Sequence, residues 1–162
     1  MTATISQVRT SGSRVAAGLL LGFTVLEAGT AVVAGALSSL SLTGLGELLV
    51  PSNAVLGLAL ALAGWPMARH RPDGPIGWLL LGGGACWAST AAGIAVLACV
   101  ADAGAADHVG WRVLATVVTA SWSLALTVFL PLALLYFPDG RLPGRLTMPS
   151  TSPVLARLTT SG

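Results

Sequence analysis

Four long apolar runs divide the chain, and short polar stretches separate them. Each run is about as long as the 20 or so apolar residues that cross a hydrocarbon core of about 30 Å. The pattern predicts an all-α integral membrane bundle of four transmembrane helices, at about residues 15–40, 48–68, 75–100 and 111–137. Residues 1–14 are predicted as an N-terminal cytoplasmic tail, and residues 138–162 as a cytoplasmic turn followed by a flexible tail.

The composition supports the lipid bilayer as the main partner of the chain. Only 9% of the residues are charged and 54% are hydrophobic, whereas an average soluble domain carries about 25% charged residues. All eight basic residues are arginines, and they are dispersed along the chain. A nucleic-acid partner is therefore not expected, because such sites cluster their basic side chains on one face.

The arginines fall mostly on one side of the predicted bundle, which sets its orientation. Positively charged residues next to membrane helices are retained on the cytoplasmic side. The other side carries only Arg112, beside Glu47, Asp102 and Asp107. The distribution predicts a multi-pass protein of the cell membrane with both termini in the cytoplasm. The cytoplasmic arginines are Arg9, Arg14, Arg69, Arg71, Arg141, Arg145 and Arg157.

A signal peptide is an alternative interpretation of the first apolar run, because arginines precede it. The run is longer than the 7–15 residues of a signal-peptide apolar region, and three more apolar runs follow it. We therefore expect an uncleaved membrane helix.

The polar stretch between the second and third apolar runs is predicted to form a tight cytoplasmic hairpin. Pro75 suits the first turn of a helix, where its missing N–H costs nothing. Asp73 or Gly74 can cap that helix from outside. Trp78 lies about one turn inside, at the depth where indole rings anchor in lipid headgroups.

Glu27 is the one acidic residue within the first apolar run. It lies thirteen residues beyond Arg14, which places it near the middle of the hydrocarbon core, about 20 Å inside at 1.5 Å per residue. An ionised carboxylate at that depth is costly. Glu27 should therefore be protonated, hydrogen-bonded or in contact with a wet cavity.

Four hydroxyl residues form a stripe on one face of the fourth predicted helix, and two interpretations remain open. The hydroxyls can bond carbonyls of their own helix, or the stripe can face Glu27 and supply its partner. The second interpretation makes Glu27, Thr119 and Ser123 the candidate intramembrane polar residues. The stripe comprises Thr116, Thr119, Ser123 and Thr127.

Small residues at helical spacing predict close helix packing. Gly18 and Gly22 form such a pair on the first helix, although pairs of this kind are common by chance. The third helix carries a longer series on one face, formed by Gly84, Ala88, Ala92, Ala95 and Cys99. The second helix is slender and suits the interior of a bundle.

No residue set in the chain predicts enzymatic activity, a cofactor or a metal. Asp102, Asp107 and His108 fall in one polar loop and invite a metal interpretation, but three residues on a loop are weak evidence, and we expect a solvated loop. Cys86 and Cys99 are about 20 Å apart if they share one helix, so they cannot pair. There is no nucleophile with its base and no phosphate-binding loop.

A second turn signature follows the fourth helix, at residues 136–145. It is predicted on the same membrane face as the hairpin. Asp139 could therefore meet Arg69 or Arg71, and Arg141 could meet Asp73. The alternative is that each charge is solvated among the headgroups.

The two turns together resemble the membrane-embedded N-terminal region of a group of bacterial sensor histidine kinases. The first motif comprises Arg71, Pro72, Pro75, Ile76, Gly77 and Trp78, and the second Phe137, Pro138, Asp139, Gly140 and Arg141. The resemblance covers about residues 53–146. It implies further helices, a phospho-acceptor histidine and an ATP-binding domain, which this sequence lacks: His70 falls in the hairpin and His108 in the opposite loop.

Three functions are compatible with these features. The first is a sensor or input module of a two-component system without its catalytic domains, with a homodimer or a kinase as partner. The second is a small transporter or ion-coupled membrane subunit that uses Glu27. The third is a non-functional gene remnant.

Overall fold

The computed structural model describes residues 2–104 and 108–136, with side chains from residue 12 onward. All regular secondary structure in these ranges is helical. The elements are α1 (Thr2–Leu37), α2 (Leu42–Glu47), α3 (Val50–His70), α4 (Pro75–Asp102), α5 (Val109–Leu124), a π-helical turn (Ala125–Phe129) and α6 (Leu130–Tyr136).

Four stretches of these helices are long and apolar enough to cross a membrane, which confirms the predicted all-α bundle of four spans. They are Gly12–Leu37, Val50–His70, Pro75–Asp102 and Val109–Tyr136. The first, third and fourth of them contain 26, 28 and 28 residues, whereas α3 contains 21. We call the end with the 71–74 turn the hairpin end and the opposite end, which carries α2, the α2 end.

Helix α4 is the centre of the bundle. It packs against α1, α3 and α5, and then against the π-helical turn and α6. Forty-four per cent of the apolar stretch of α4 is buried inside the bundle, compared with 11% of the apolar stretch of the fourth span. The fourth span is therefore attached along one side only, through α4.

Helices α3 and α4 pack antiparallel along a seam of small residues. A Cβ atom added to Gly57 would lie 2.8 Å from the Ala88 nitrogen, and one added to Gly64 would lie 2.7 Å from the Gly77 carbonyl oxygen. Only a residue without a side chain permits backbones to approach this closely. The facing positions are Gly57, Ala61, Gly64 and Ala68 on α3, and Gly77, Leu81, Gly84 and Ala88 on α4.

Nearer the α2 end, the face of small residues that the sequence predicts on the third helix packs against α1 and α3. Ala91, Ala92 and Ala95 join a buried cluster with Ala31 and Ala34 of α1, and with Val50 and Ala54 of α3. In contrast, nothing lies within 4 Å of a Cβ added to Gly18 or Gly22. Gly18 and Gly22 therefore form no packing site with the residues that the structure describes.

Two boundaries differ from the prediction. Helix α1 begins at Thr2 rather than near residue 15, because residues 2–14 contain no proline and extending a formed helix costs little compared with nucleating one. The connection between the first two predicted helices contains α2, which starts where the Ser41 hydroxyl accepts a hydrogen bond from the Gly44 N–H at 3.1 Å. Leu45 of α2 is buried against the bundle.

The fourth span changes helix type before Pro131. The Leu130 N–H donates to the Ala125 carbonyl, one residue further back than in an α-helix. Pro131 lacks an N–H and crowds the preceding turn, and a single π-helical turn is a common local accommodation in helices.

Candidate functional site

A polar contact joins α1 and α4 halfway along the spans. The Ser89 hydroxyl donates to Oε1 of Glu27 at 2.5 Å. Oε2 of Glu27 is buried and has no hydrogen-bond partner among the residues that the structure describes. The carboxyl group is therefore held at one oxygen and left unsatisfied at the other.

Other polar side chains around this level are bonded within their own helices. The fully buried Thr24 hydroxyl donates to the Leu20 carbonyl, and the Thr90 hydroxyl donates to the Cys86 carbonyl, both at 2.9 Å. Cys86 and Cys99 are free thiols on α4. Ser89 is thus the side chain that partners Glu27 in this part of the bundle.

The hydroxyls of the stripe on the fourth span bond carbonyls of their own helix, which was the first of the two interpretations. The Thr119 hydroxyl donates to the Ala115 carbonyl and the Ser123 hydroxyl to the Thr119 carbonyl, each at 2.9 Å. Thr116 and Thr127 bond their own helix in the same way. Because α5 packs on α4, the hypothesis that the stripe supplies the partner of Glu27 is wrong.

The true partner was missed, although the sequence carries a signal for it. Ser89 lies fourteen residues beyond Pro75, and Glu27 lies thirteen beyond Arg14. Both positions are about 20 Å inside their spans at 1.5 Å per residue. Two polar residues at equal depth on different helices are candidates for pairing.

A second polar residue within the spans is Asn53 of α3, which the apolar pattern of the sequence does not single out. Asn53 is only 5% exposed. Asn53 lines a groove of about 430 Å³ between α3, α4 and α5. Thr90, Thr119 and Trp122 also line this groove.

The motif residues at the hairpin end form a closed turn. The Trp78 indole N–H donates to the Pro72 carbonyl at 3.0 Å, and the Gly74 N–H donates to the Arg71 carbonyl at 3.0 Å. Gly74 is the N-cap of α4, without a side-chain cap, and Pro75 is the first residue of the helix. Gly77 lies so close to the Ala68 backbone that a Cβ atom would not fit.

The charged residues of the hairpin end are described only in part. The Arg69 guanidinium lies over the Trp65 ring, 5.2 Å from its centroid. The second motif, with Phe137, Pro138, Asp139, Gly140 and Arg141, lies outside the described residues. Pairing of Asp139 with Arg69 or Arg71, and of Arg141 with Asp73, therefore stays a prediction.

At the α2 end, Asp102 fastens the connection after α1. Its carboxylate accepts hydrogen bonds from the Ser39 N–H at 2.6 Å and from the Ser39 hydroxyl at 2.8 Å. Asp107 lies outside the described residues, and within them no three His, Cys, Asp or Glu side chains are grouped as a metal site would require. Asp102 therefore serves as an anchor between α1 and α4.

These features describe a multi-pass helical bundle with a polar contact inside its spans. Comparison of the chain with protein-family models, curated proteins and solved structures gives no match.

Proposed function

We propose that the chain is a multi-pass input module of the cell membrane, similar to the N-terminal region of a two-component sensor histidine kinase. In this proposal both termini are cytoplasmic, and the module acts on a kinase partner or through a homodimer. It has no catalytic activity of its own. The resemblance of the two turn motifs is the starting point.

The closed turn at the hairpin end carries the proposal. Four of its motif residues contribute to one unit: Pro75 starts α4, Gly77 admits the Ala68 backbone, and Trp78 closes the turn onto Pro72. A turn of this kind fixes α3 and α4 as one body. Such a body can transmit a displacement between the two faces of a membrane.

The contacts of α1 suit the movable part of such a module. Besides apolar packing, the contacts of Ser89 with Glu27 and of Ser39 with Asp102 join α1 and the residues after it to α4. Small changes that make or break these contacts would shift α1 against the α3–α4 body. Switching between two discrete arrangements of packed helices is a common signalling device.

A fusion protein tests the proposal. We would place a histidine kinase core after Gly162, reconstitute the fusion in liposomes and measure autophosphorylation with ATP. We expect Glu27→Leu, which breaks the α1–α4 contact, to change the rate several-fold. The matched control is Thr30→Val, because the Thr30 hydroxyl is exposed and bonds only the Leu26 carbonyl.

Equal rates for the wild-type, Glu27→Leu and Thr30→Val fusions would contradict the proposal. A fusion to an unrelated four-helix membrane protein supplies the baseline rate. The amount of folded fusion protein is matched in every sample by size-exclusion chromatography.

A second candidate function is ion-coupled transport, and the unsatisfied oxygen of Glu27 favours it. An intramembrane carboxyl group is a functional candidate by default, and Oε2 is buried without a partner in the described residues. We would measure proton flux into liposomes that contain the wild type or Glu27→Gln. Flux that requires Glu27 would favour transport, and equal flux at the level of empty liposomes would exclude it.

A further inference from the structure

The hairpin end carries an excess of exposed positive charge. Its exposed basic residues are Arg14 of α1, and Arg69, His70 and Arg71 at the end of α3. Asp73 is the only acidic residue among the described positions of this end. Within the described residues, no carboxylate forms an ion pair with Arg14, Arg69 or Arg71. These arginines therefore have charge and hydrogen-bond donors available for an anion.

The position of Arg69 places it at the level of the lipid headgroups. Arg69 is the second-last residue of α3, whose 21 residues extend about 31 Å at 1.5 Å per residue. A hydrocarbon core is about 30 Å thick. Because α3 is only about as long as the core is thick, a residue in its last turn lies close to the edge of the core.

Arg14 and Arg69 lie on different helices that meet at this end. Ala17 and Ala68 are fully buried and belong to one hydrophobic cluster. Arg14 lies three residues before Ala17 on α1, and Arg69 directly follows Ala68 on α3. The two arginines are therefore at about the same level, one on each of two helices that pack together.

An aromatic ring already orients Arg69. The Arg69 guanidinium lies over the Trp65 ring, 5.2 Å from its centroid, and Trp65 packs against the cluster that contains Ala17 and Ala68. Stacking uses the flat face of the guanidinium and leaves the N–H groups at its edge able to donate. A guanidinium can donate two parallel hydrogen bonds to the oxygens of a phosphate.

The surface next to the two arginines is apolar, which favours a lipid over a soluble anion. Two exposed apolar residues lie on the α3 face of Arg69, about two and four turns away, and two lie on the α1 face of Arg14, about three and five turns away. An acyl chain can lie along such faces, whereas a free phosphate gains nothing from them. These residues are Leu62 and Val55 of α3, and Val25 and Val32 of α1.

We propose that Arg14 and Arg69 bind the phosphate of an anionic phospholipid, whose acyl chains lie along the exposed apolar faces of α1 and α3. Basic pockets between membrane helices on the cytoplasmic side are sites for anionic lipid headgroups. The lipid would hold α1 against α3 at the hairpin end. Lipid binding requires no kinase, so it can be established or refuted independently of the input-module function.

The test compares two lipids that have the same acyl chains and differ in headgroup charge. Native mass spectrometry of the full chain in detergent gives the apparent Kd of phosphatidylglycerol, which is anionic, and of phosphatidylcholine, which has no net charge. We expect the first phosphatidylglycerol to bind about ten-fold more tightly. Inorganic phosphate, added in excess, should not displace it.

Arginine substitutions separate this site from a general effect of charge. We expect Arg69→Gln and Arg14→Gln each to weaken phosphatidylglycerol binding about five-fold, the effect of one arginine near an anionic lipid surface. Arg112→Gln is the matched control, because it removes the same charge from an exposed arginine at the α2 end. It should leave the affinity for phosphatidylglycerol unchanged.

Equal affinity of the wild type for the two lipids would overturn the proposal, and so would a loss in Arg69→Gln no larger than that in Arg112→Gln. Displacement by inorganic phosphate would show a site for soluble anions instead. Asp139 is the competing partner of Arg69, and phosphatidylglycerol binding that appears only in Asp139→Asn would assign Arg69 to that pair. The lipid comparison uses only the wild type, so it holds even if a variant fails to fold.

Discussion

Gly57 and Gly84 face each other across the α3–α4 seam with no room for a side chain. A Cβ atom on Gly84 would lie 2.6 Å from the Gly57 carbonyl oxygen, and one on Gly57 would lie 2.8 Å from the Gly84 carbonyl oxygen. Because these are backbone contacts, no rotamer change can relieve them. The seam therefore depends on glycine at both positions.

Substitution of Gly84 by alanine should destabilise the bundle. We expect Gly84→Ala to lower the free energy of unfolding by about 1–3 kcal/mol, the usual cost of overpacking. The measurement is unfolding of the detergent-solubilised protein by circular dichroism. Gly22→Ala is the matched control, since its Cβ meets nothing within 4 Å. Equal stability of the two variants would show that the seam is looser than described.

Gly93 and Val118 hold α5 against α4, and their effects should be coupled. A Cβ on Gly93 would overlap the Val118 side chain, so Gly93→Ala should displace α5. Val118→Ala opens that space, and the double variant should be more stable than the sum of the single effects predicts. We expect a coupling free energy of about 1 kcal/mol in a double-mutant cycle. Additive effects would contradict direct contact.

Ser89 should stabilise the fold through Glu27. Ser89→Ala leaves both carboxyl oxygens without a described partner, and we expect a loss of about 1–2 kcal/mol in the free energy of unfolding. Glu27→Gln keeps an acceptor for the Ser89 hydroxyl and should cost less than Ser89→Ala. Thr119→Val is the control, because the Thr119 hydroxyl bonds its own helix. A Ser89→Ala variant as stable as this control would argue against the contact.

The orientation that the arginines predict can be measured in cells. A tag placed after Gly162 should be labelled only after the membrane is permeabilised, because arginine-rich ends are retained in the cytoplasm. A second tag in the 103–108 connection should be labelled in intact cells. The opposite pattern would refute the positive-inside assignment.

The sequence predicts the number and approximate extent of the spans, because each apolar run is long enough to be a membrane helix. It also indicates that α3 is slender and that Gly84 and Ala88 lie on a packing face. It does not predict α2, whose start depends on one local hydrogen bond between Ser41 and Gly44. Local bonds of this kind leave little trace in an apolar pattern.

The candidate site is only partly predictable for a related reason. The position of Glu27 within an apolar run identifies it as unusual. Helical periodicity, however, indicates only which face of its helix a residue occupies, and not which other helix packs against that face. The choice between Ser89 and the hydroxyls of α5 depends on α4 lying between α1 and α5. The burial of Asn53 is equally hard to predict from the sequence, because it follows from three helices meeting around this residue.

The unequal lengths of α3 and α4 have a consequence for the surrounding lipid. At 1.5 Å per residue, the 21 residues of α3 extend about 31 Å and the 28 residues of α4 about 42 Å. The apolar wall is thus shorter on the side of α3. Lipids there must compress or tilt relative to those beside α4, and such mismatch makes a helix bundle responsive to bilayer thickness.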